Sequence, residues 1–259
     1  MTDTVAAPAV AAPRVKPLRW WHEVLFILGF YGIYTTIRNT QGSASVSATH
    51  AFHNARHIIH WERLLGIYHE RWVQQRFIAY HGFIRFWDVF YGSAHFIVSI
   101  AALVYLFRKM PARYPRLRNT LAITTALALL GFATYPLMPP RLLPHAYGFV
   151  DTLKAYGGLW SFDSGTMQKI SNQYAAMPSL HFAWSSWCVL VLWPAMRRPW
   201  SRAVLLTYPL ITLFAIVVTA NHYVLDAAGG ALALAIGYTA SVAITRQRTT
   251  PDPAPAPAA

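Results

Sequence analysis

Residues 203–245 read AVLLTYPLITLFAIVVTAN, then HYVLD, then AAGGALALAIGYTASVAIT. The two flanking runs, Ala203 to Asn221 and Ala227 to Thr245, contain no Asp, Glu, Lys or Arg. The hydrocarbon core of a bilayer is about 30 Å thick, so a spanning helix needs roughly 17 to 25 largely apolar residues. Each run meets that length, and between them sits a short junction that carries His222 and Asp226. An ionisable group at membrane depth is costly, and a chain that keeps two of them side by side points to function there.

Four more runs extend the pattern: Val24 to Ile37, Val89 to Phe107, Asn119 to Pro140 and Leu180 to Met196. The expected fold is therefore an all-α integral membrane protein, a bundle of six transmembrane helices. Composition agrees, because 55% of the 259 residues are hydrophobic and 12% are charged, against about 25% charged in an ordinary soluble domain. The formal charge of +13 would suggest nucleic acid as a partner in a soluble protein, but the apolar content excludes that reading here. A single cysteine, Cys188, rules out an intramolecular disulfide and a CxxC zinc site. The first run lacks an A-x-A cleavage pattern and other spans follow it, so it is expected to be a retained helix.

Lys and Arg positions orient the spans. With the N-terminus inside, the inner segments hold Arg14, Lys16 and Arg19, then Arg108 to Arg118, Arg197 to Arg202, and Arg246 with Arg248: thirteen of the 22 basic residues in short stretches. Both termini are thus expected in the cytoplasm of a multi-pass cell-membrane protein. Residues 1–19 and 249–259, rich in Ala and Pro, are expected to be disordered tails around one membrane domain, 20–248, with its core at about 119–245. Two outer segments exceed simple turns. Asn39 to Asp88 has periodic stretches with Trp61, Trp72 and Trp87, which suits one or two interfacial helices. Pro139 to Ser179, with Tyr147, Tyr156, Trp160 and Tyr174, is long enough to form a lid or mouth. Gly230, Ala233 and Gly237 would let a neighbouring helix approach the last span closely.

The junction chemistry follows from spacing. If His222 and Asp226 lie on a helix, i and i+4 share a face, within hydrogen-bonding reach. Such a carboxylate fixes the imidazole tautomer, leaves the other nitrogen free to attack and stabilises the charge that develops. His181 opens the fourth run in Met177-Pro-Ser-Leu-His181. Pro178 suits the first helical turn, and the amides that follow, with the Ser179 hydroxyl, can face an anion. Arg141, after Pro139 and Pro140, supplies a guanidinium for two phosphate oxygens. Two histidines, a carboxylate, an arginine and a helix N-terminus together make a metal-free phosphoryl-transfer site that needs no cofactor.

Pro178-Ser-Leu-His181 resembles the P-S-x-H motif of the type 2 phosphatidic acid phosphatase superfamily, and His222-Tyr-Val-Leu-Asp226 resembles the H-x-x-x-D of its last motif. The order, the spacing and the six-span layout are also similar, over roughly Asn119 to Ala243. The resemblance implies that His222 is the nucleophile, Asp226 its orienting partner and His181 the general acid and base. It further implies that Arg141 and Ser179, and less strongly Lys169, hold the phosphate of a phospholipid or polyprenyl or other lipid phosphate at the extracytoplasmic face.

The departures bear on the acceptor. Thr134 and Leu142 stand where the first motif of the superfamily has Lys and Pro, and Ala215 and Ile216 stand where the last has Ser and Arg. Fewer cations suit a less charged phosphate. The sequence is in this respect similar to the inositol phosphorylceramide synthase and sphingomyelin synthase branch, which implies transfer of a phospho-head-group to an alcohol; release of phosphate to water is the alternative. Two other classes compete. His50, His53, His57 and His60 would stack along one helix face and could serve a membrane metal oxygenase or metal transporter, or simply form the polar side of an interfacial helix. A non-catalytic lipid carrier could use a basic pocket merely to bind phosphate.

Overall fold

The computed structural model describes residues 19–40, 47–157 and 173–247. The expected tails apart from Arg19, together with Lys169 and Trp160, lie outside the described residues. Nine α-helices are described: α1 Trp20–Thr40, α2 Ala48–Leu64, α3 Glu70–Phe77, α4 His81–Lys109, α5 Tyr114–Thr134, α6 Thr152–Tyr156, α7 Leu180–Leu192, α8 Pro199–Val218 and α9 Val224–Gln247. Among the described residues α4, α5, α8 and α9 (Val224–Thr245) are long and apolar enough to cross a membrane, and Leu180–Ala195 forms a shorter apolar helix. The protein is an integral membrane α-helical protein.

Local chemistry sets the helix starts. Ser47 caps α2 by accepting from the His50 N–H, Asp151 caps α6 through Lys154, and Pro115 and Pro199 begin α5 and α8, where a missing N–H costs nothing. Two boundaries differ from expectation. The third span stops at Thr134 instead of running to Pro140, because Tyr135 leaves the helix and Pro136, Pro139 and Pro140 follow, the last of them opening the 3-10 turn Pro140–Leu142. Pro178 precedes the first turn of α7 and does not lie in it; Ser179 is the N-cap and its hydroxyl accepts from the Phe182 N–H.

α9 is the central strut, packed along α5 and α7, while α4 packs on α7 and α8, and α1 lies against α5. Gly237 brings α9 close to α5: a Cβ there would stand 3.0 Å from the Thr120 carbonyl oxygen. Gly230 seats α9 directly on the Ser179 carbonyl at the start of α7. Ala233, between them, is buried. The sequence thus predicted a close helix approach, and the structure divides it between two neighbours. Ile97, Ile100 and Val104 on α4, Leu210 on α8 and Leu232 and Ile236 on α9 stay exposed. In water such apolar rows would be a liability; in lipid they are the outer surface of the bundle.

The helices alternate in direction, so one end of the bundle collects Asp88 of α4, the C-terminal end of α5, the start of α7, the end of α8 and the start of α9. Arg108, Arg113, Arg197 and Arg198 collect at the other. α2 covers the first end. Its buried Ala51, Ala55, Ile58 and Ile59 pack with Leu137, Met138, Leu143 and Phe149, so its apolar face is spent on protein, while His50, His53, His57 and His60 stay exposed. Asn54 donates to the Pro136 carbonyl at 2.8 Å, and Gln74 of α3 pairs with both the N–H and the C=O of Val150, each at 2.9 Å. These bonds fix the loop Tyr135–Asp151 under the two outer helices.

Candidate active site

The α8–α9 junction is built by a chain reversal at Ala220, whose φ of 53° is left-handed and uncommon for a residue with a Cβ. The strain is held by the surroundings: Ala220 is fully buried, its N–H reaches the Val217 carbonyl, and its own carbonyl accepts from the Arg141 N–H at 2.8 Å. The N–H groups of Asn221 and His222 both return to the Ile216 carbonyl. Strain of this kind concentrates at functional sites. Here it aims Asn221 and His222 at the end of the bundle.

His222 is 3% exposed, and its Nδ1 lies 2.9 Å from the Ala176 carbonyl oxygen and 3.2 Å from Asp226 Oδ2. A carbonyl can only accept, so Nδ1 carries the proton and Nε2 keeps a lone pair in the neutral ring. Asp226, fully buried, also accepts from the Tyr223 N–H at 2.9 Å through the same Oδ2, and its backbone carbonyl accepts from the Ser179 N–H at 2.8 Å. The two motifs are thus stitched together by their main chains. Gly131 and Gly229 flank Pro178 closely enough that a Cβ at Gly131 would lie 2.6 Å from the proline ring. His181 reaches the cluster with its ring centroid 5.4 Å from that of His222.

Arg141 completes the group. Its Nε donates to Asn221 Oδ1 at 2.9 Å and its Nη1 to Asp151 Oδ2 at 3.0 Å. Its side chain is 12% exposed, so this cation is pre-oriented beside the histidine junction with part of its charge already answered. Ser179, expected to face the phosphate, is fully buried and acts as the cap of α7. Lys169 lies outside the described residues. The structure therefore brings together His181, His222, Asp226, Arg141 and Ser179. The aromatic mouth is divided: Tyr147 and Tyr174 pack with the α2 cluster, and Tyr156 stacks on His81 at 4.7 Å between centroids.

Several neighbours went unnoticed in the sequence. Tyr91 stacks on His181 at 4.2 Å, His95 meets the same ring at 4.1 Å, and His95 Nδ1 bonds the Tyr91 carbonyl at 3.0 Å. The signal existed: His95 is an ionisable residue in the middle of an apolar run. Asn221 and Asp151 carried no such signal, because their role depends on a guanidinium that arrives from elsewhere in the chain. Phe90, Tyr91, His95, His181, Thr212, Ala215 and Ile216 line a small cavity of about 10 Å³, room for about one water molecule. Ala215 and Ile216 hold the positions where Ser and Arg were missing, and the absent cation leaves that side of His181 apolar. The burial of Tyr223 pushes its hydroxyl well above the usual phenol range, and it donates to the Met138 carbonyl at 3.0 Å. Among the described residues no group of three or more His, Cys, Asp or Glu side chains is arranged so that it could hold a metal ion.

No curated protein and no solved structure matches the chain. The profile of a family described as the PAP2 superfamily matches residues 56–240, a stretch that runs from within α2 to within α9 and includes both histidine motifs. With most of its length matched to this family of membrane phosphatase-like enzymes, the chain belongs to the PAP2 superfamily.

Proposed function

We propose that the protein cleaves a lipid phosphoester through a phosphohistidine on His222 and passes the phospho-head-group to an alcohol, in the manner of an inositolphosphotransferase. The observation that carries this reading is the double anchor on His222 Nδ1, from the Ala176 carbonyl and Asp226, which leaves Nε2 as the attacking atom. Nε2 forms a bond to phosphorus as the bond to the leaving alkoxide breaks. His181 protonates that alkoxide, then takes the proton of the incoming alcohol, whose oxygen attacks the phosphohistidine and frees His222. General acid and base assistance of this kind contributes about 10² to 10⁴ in rate. Arg141 steadies the phosphate oxygens, and Ser179 holds the α7 N-terminus beside them. Lys169 is a further candidate for the phosphate.

A monoanionic diester is favoured over a dianionic monoester because Arg141 is already paired with Asp151 at 3.0 Å and Ala215 and Ile216 add no cation. In this reading α1 and α7 join the four long helices to make six spans, both termini are cytoplasmic, and the histidines face outward, opposite the basic end. A lipid phosphate phosphatase that uses water as the acceptor would employ the same residues, and the superfamily match favours it as the second reading.

Incubating the purified protein with lipid monophosphates and phosphodiesters, with and without lipid alcohols and polyols, separates the two. New phosphodiester products support the transferase. Stoichiometric inorganic phosphate with no new phosphodiester leaves the phosphatase standing, and failure to form acid-labile phosphohistidine removes both.

A further inference from the structure

The first amides of α9 follow directly after His222, and three carboxyl groups take three of them in succession. Asp226 Oδ2 accepts from the Tyr223 N–H at 2.9 Å, Glu70 Oε1 from the Val224 N–H at 3.0 Å, and Glu62 Oε1 from the Leu225 N–H at 2.8 Å. Asp226 is local. Glu62 and Glu70 come from α2 and α3, more than 150 residues earlier in the chain, and both are fully buried. Acidic groups are expected near a helix N-terminus because its N–H groups are unpaired and its dipole favours negative charge. Two acidic residues from separate helices, sealed from solvent at one helix start, exceed what capping needs.

The second oxygens complete the picture. Glu62 Oε2 and Glu70 Oε2 are both buried without a hydrogen-bond partner, while the Oε1 atoms of the same two carboxyls sit on consecutive amides of one backbone turn. Two carboxylates cannot face each other in a water-free pocket, whereas a carboxylic acid and a carboxylate can share the proton between them.

We propose that Glu62 and Glu70 form a proton-sharing carboxyl pair that positions the His222–Asp226 turn, so that the outer helices α2 and α3 are part of the catalytic architecture. Where this concerns turnover, it rests on the phosphoryl transfer proposed above. Both are positioning residues, acting through the backbone of Val224 and Leu225. The pair is faced by Asp226 and Tyr223 from the α8–α9 junction and by Tyr68 from the α2–α3 turn, with Arg63 behind Tyr68. None of these neighbours places a cation against the carboxyls. Burial and the adjacent carboxyl push Glu62 up to about 9, and burial also raises Glu70. The sign follows: below that pH one proton bridges the pair and both caps hold. As pH rises through it, a second negative charge appears beside Asp226 and the caps separate.

The test compares Glu62→Gln with Glu62→Ala in the full chain, by amide exchange of the 221–226 segment and by the pH dependence of turnover on a lipid phosphate. Gln keeps an acceptor for Leu225 and donates permanently to Glu70, reproducing the protonated state. Glu62→Ala should speed exchange at Val224 and Leu225 about tenfold and lower kcat by about 10-fold to 100-fold with a smaller change in KM. Glu62→Gln should restore both and remove the loss of activity near pH 9. Equal defects in the two variants, or an unchanged alkaline limb in Glu62→Gln, would overturn the proposal. A wild-type protein inert toward every lipid phosphate would defeat the proposed function. The positioning role would then be decided by exchange alone: opening above pH 9, corrected for intrinsic rate, in wild type but not in Glu62→Gln supports it, and its absence overturns it.

Discussion

Replacing Asp226 with Asn isolates the charge behind His222. The oxygen of Asn can occupy the Oδ2 position and keep both bonds, to His222 Nδ1 at 3.2 Å and to the Tyr223 N–H at 2.9 Å. Its NH₂ group falls where Oδ1 is already buried without a partner, so an orphaned polar atom replaces an orphaned polar atom. The Ala176 carbonyl still requires a proton on Nδ1, so the tautomer survives. What is lost is a negative charge facing the ring as it becomes cationic. At this separation, with an effective dielectric of about 20, a full charge pair is worth about 5 kcal/mol. With about half the charge developed in the transition state, the loss is about 2.5 kcal/mol, or about 70-fold in kcat. The assay is turnover of a lipid phosphate in detergent micelles, with the rate of phosphohistidine labelling measured in parallel. Asp226→Asn should slow labelling by the same factor and change KM by less than about threefold. A variant that retains turnover within about threefold of wild type, while folding normally, would refute the argument that this carboxylate stabilises the reacting imidazole.

Other substitutions probe separate links. His222→Ala should abolish turnover and labelling, whereas His181→Ala should lose about 10² to 10⁴ on alkyl phosphoesters yet retain activity on an aryl phosphate whose leaving group needs no proton; equal losses on both would undo the assignment. Gly230→Ala drives a methyl group into the Ser179 carbonyl and should cost about 1–3 kcal/mol, seen as a lower Tm together with reduced activity. Gly82→Ala on α4, with open space around it, should be neutral or stabilising by about 1 kcal/mol in the same measurement. In a Cys188→Ala background, a cysteine at exposed His145 should react with an impermeant reagent from outside, and labelling instead at Arg113 or Arg198 would reverse the proposed orientation.

Hydrophobic periodicity and charge made the helices legible in the sequence, because a segment that must satisfy its backbone in lipid has few options besides a long apolar helix. The same logic exposed His222, Asp226 and His181, whose cost at membrane depth marks them without any knowledge of neighbours. His95 carries that mark too, inside the apolar run Val89 to Phe107. Residues whose meaning depends on what they meet were hidden. Asp151 is a surface-type acid until Arg141 is beside it, and Asn221 is an unremarkable turn residue until it accepts from the same guanidinium. Glu62 and Glu70 read as the polar side of amphipathic outer helices, yet they are fully buried on the amides of α9. Local sequence determined the helices because backbone satisfaction and burial in lipid act within one segment. Only tertiary structure decided which carboxyl meets which amide, because those contacts join parts of the chain more than 150 residues apart and exist only once α2, α3 and α9 are packed together.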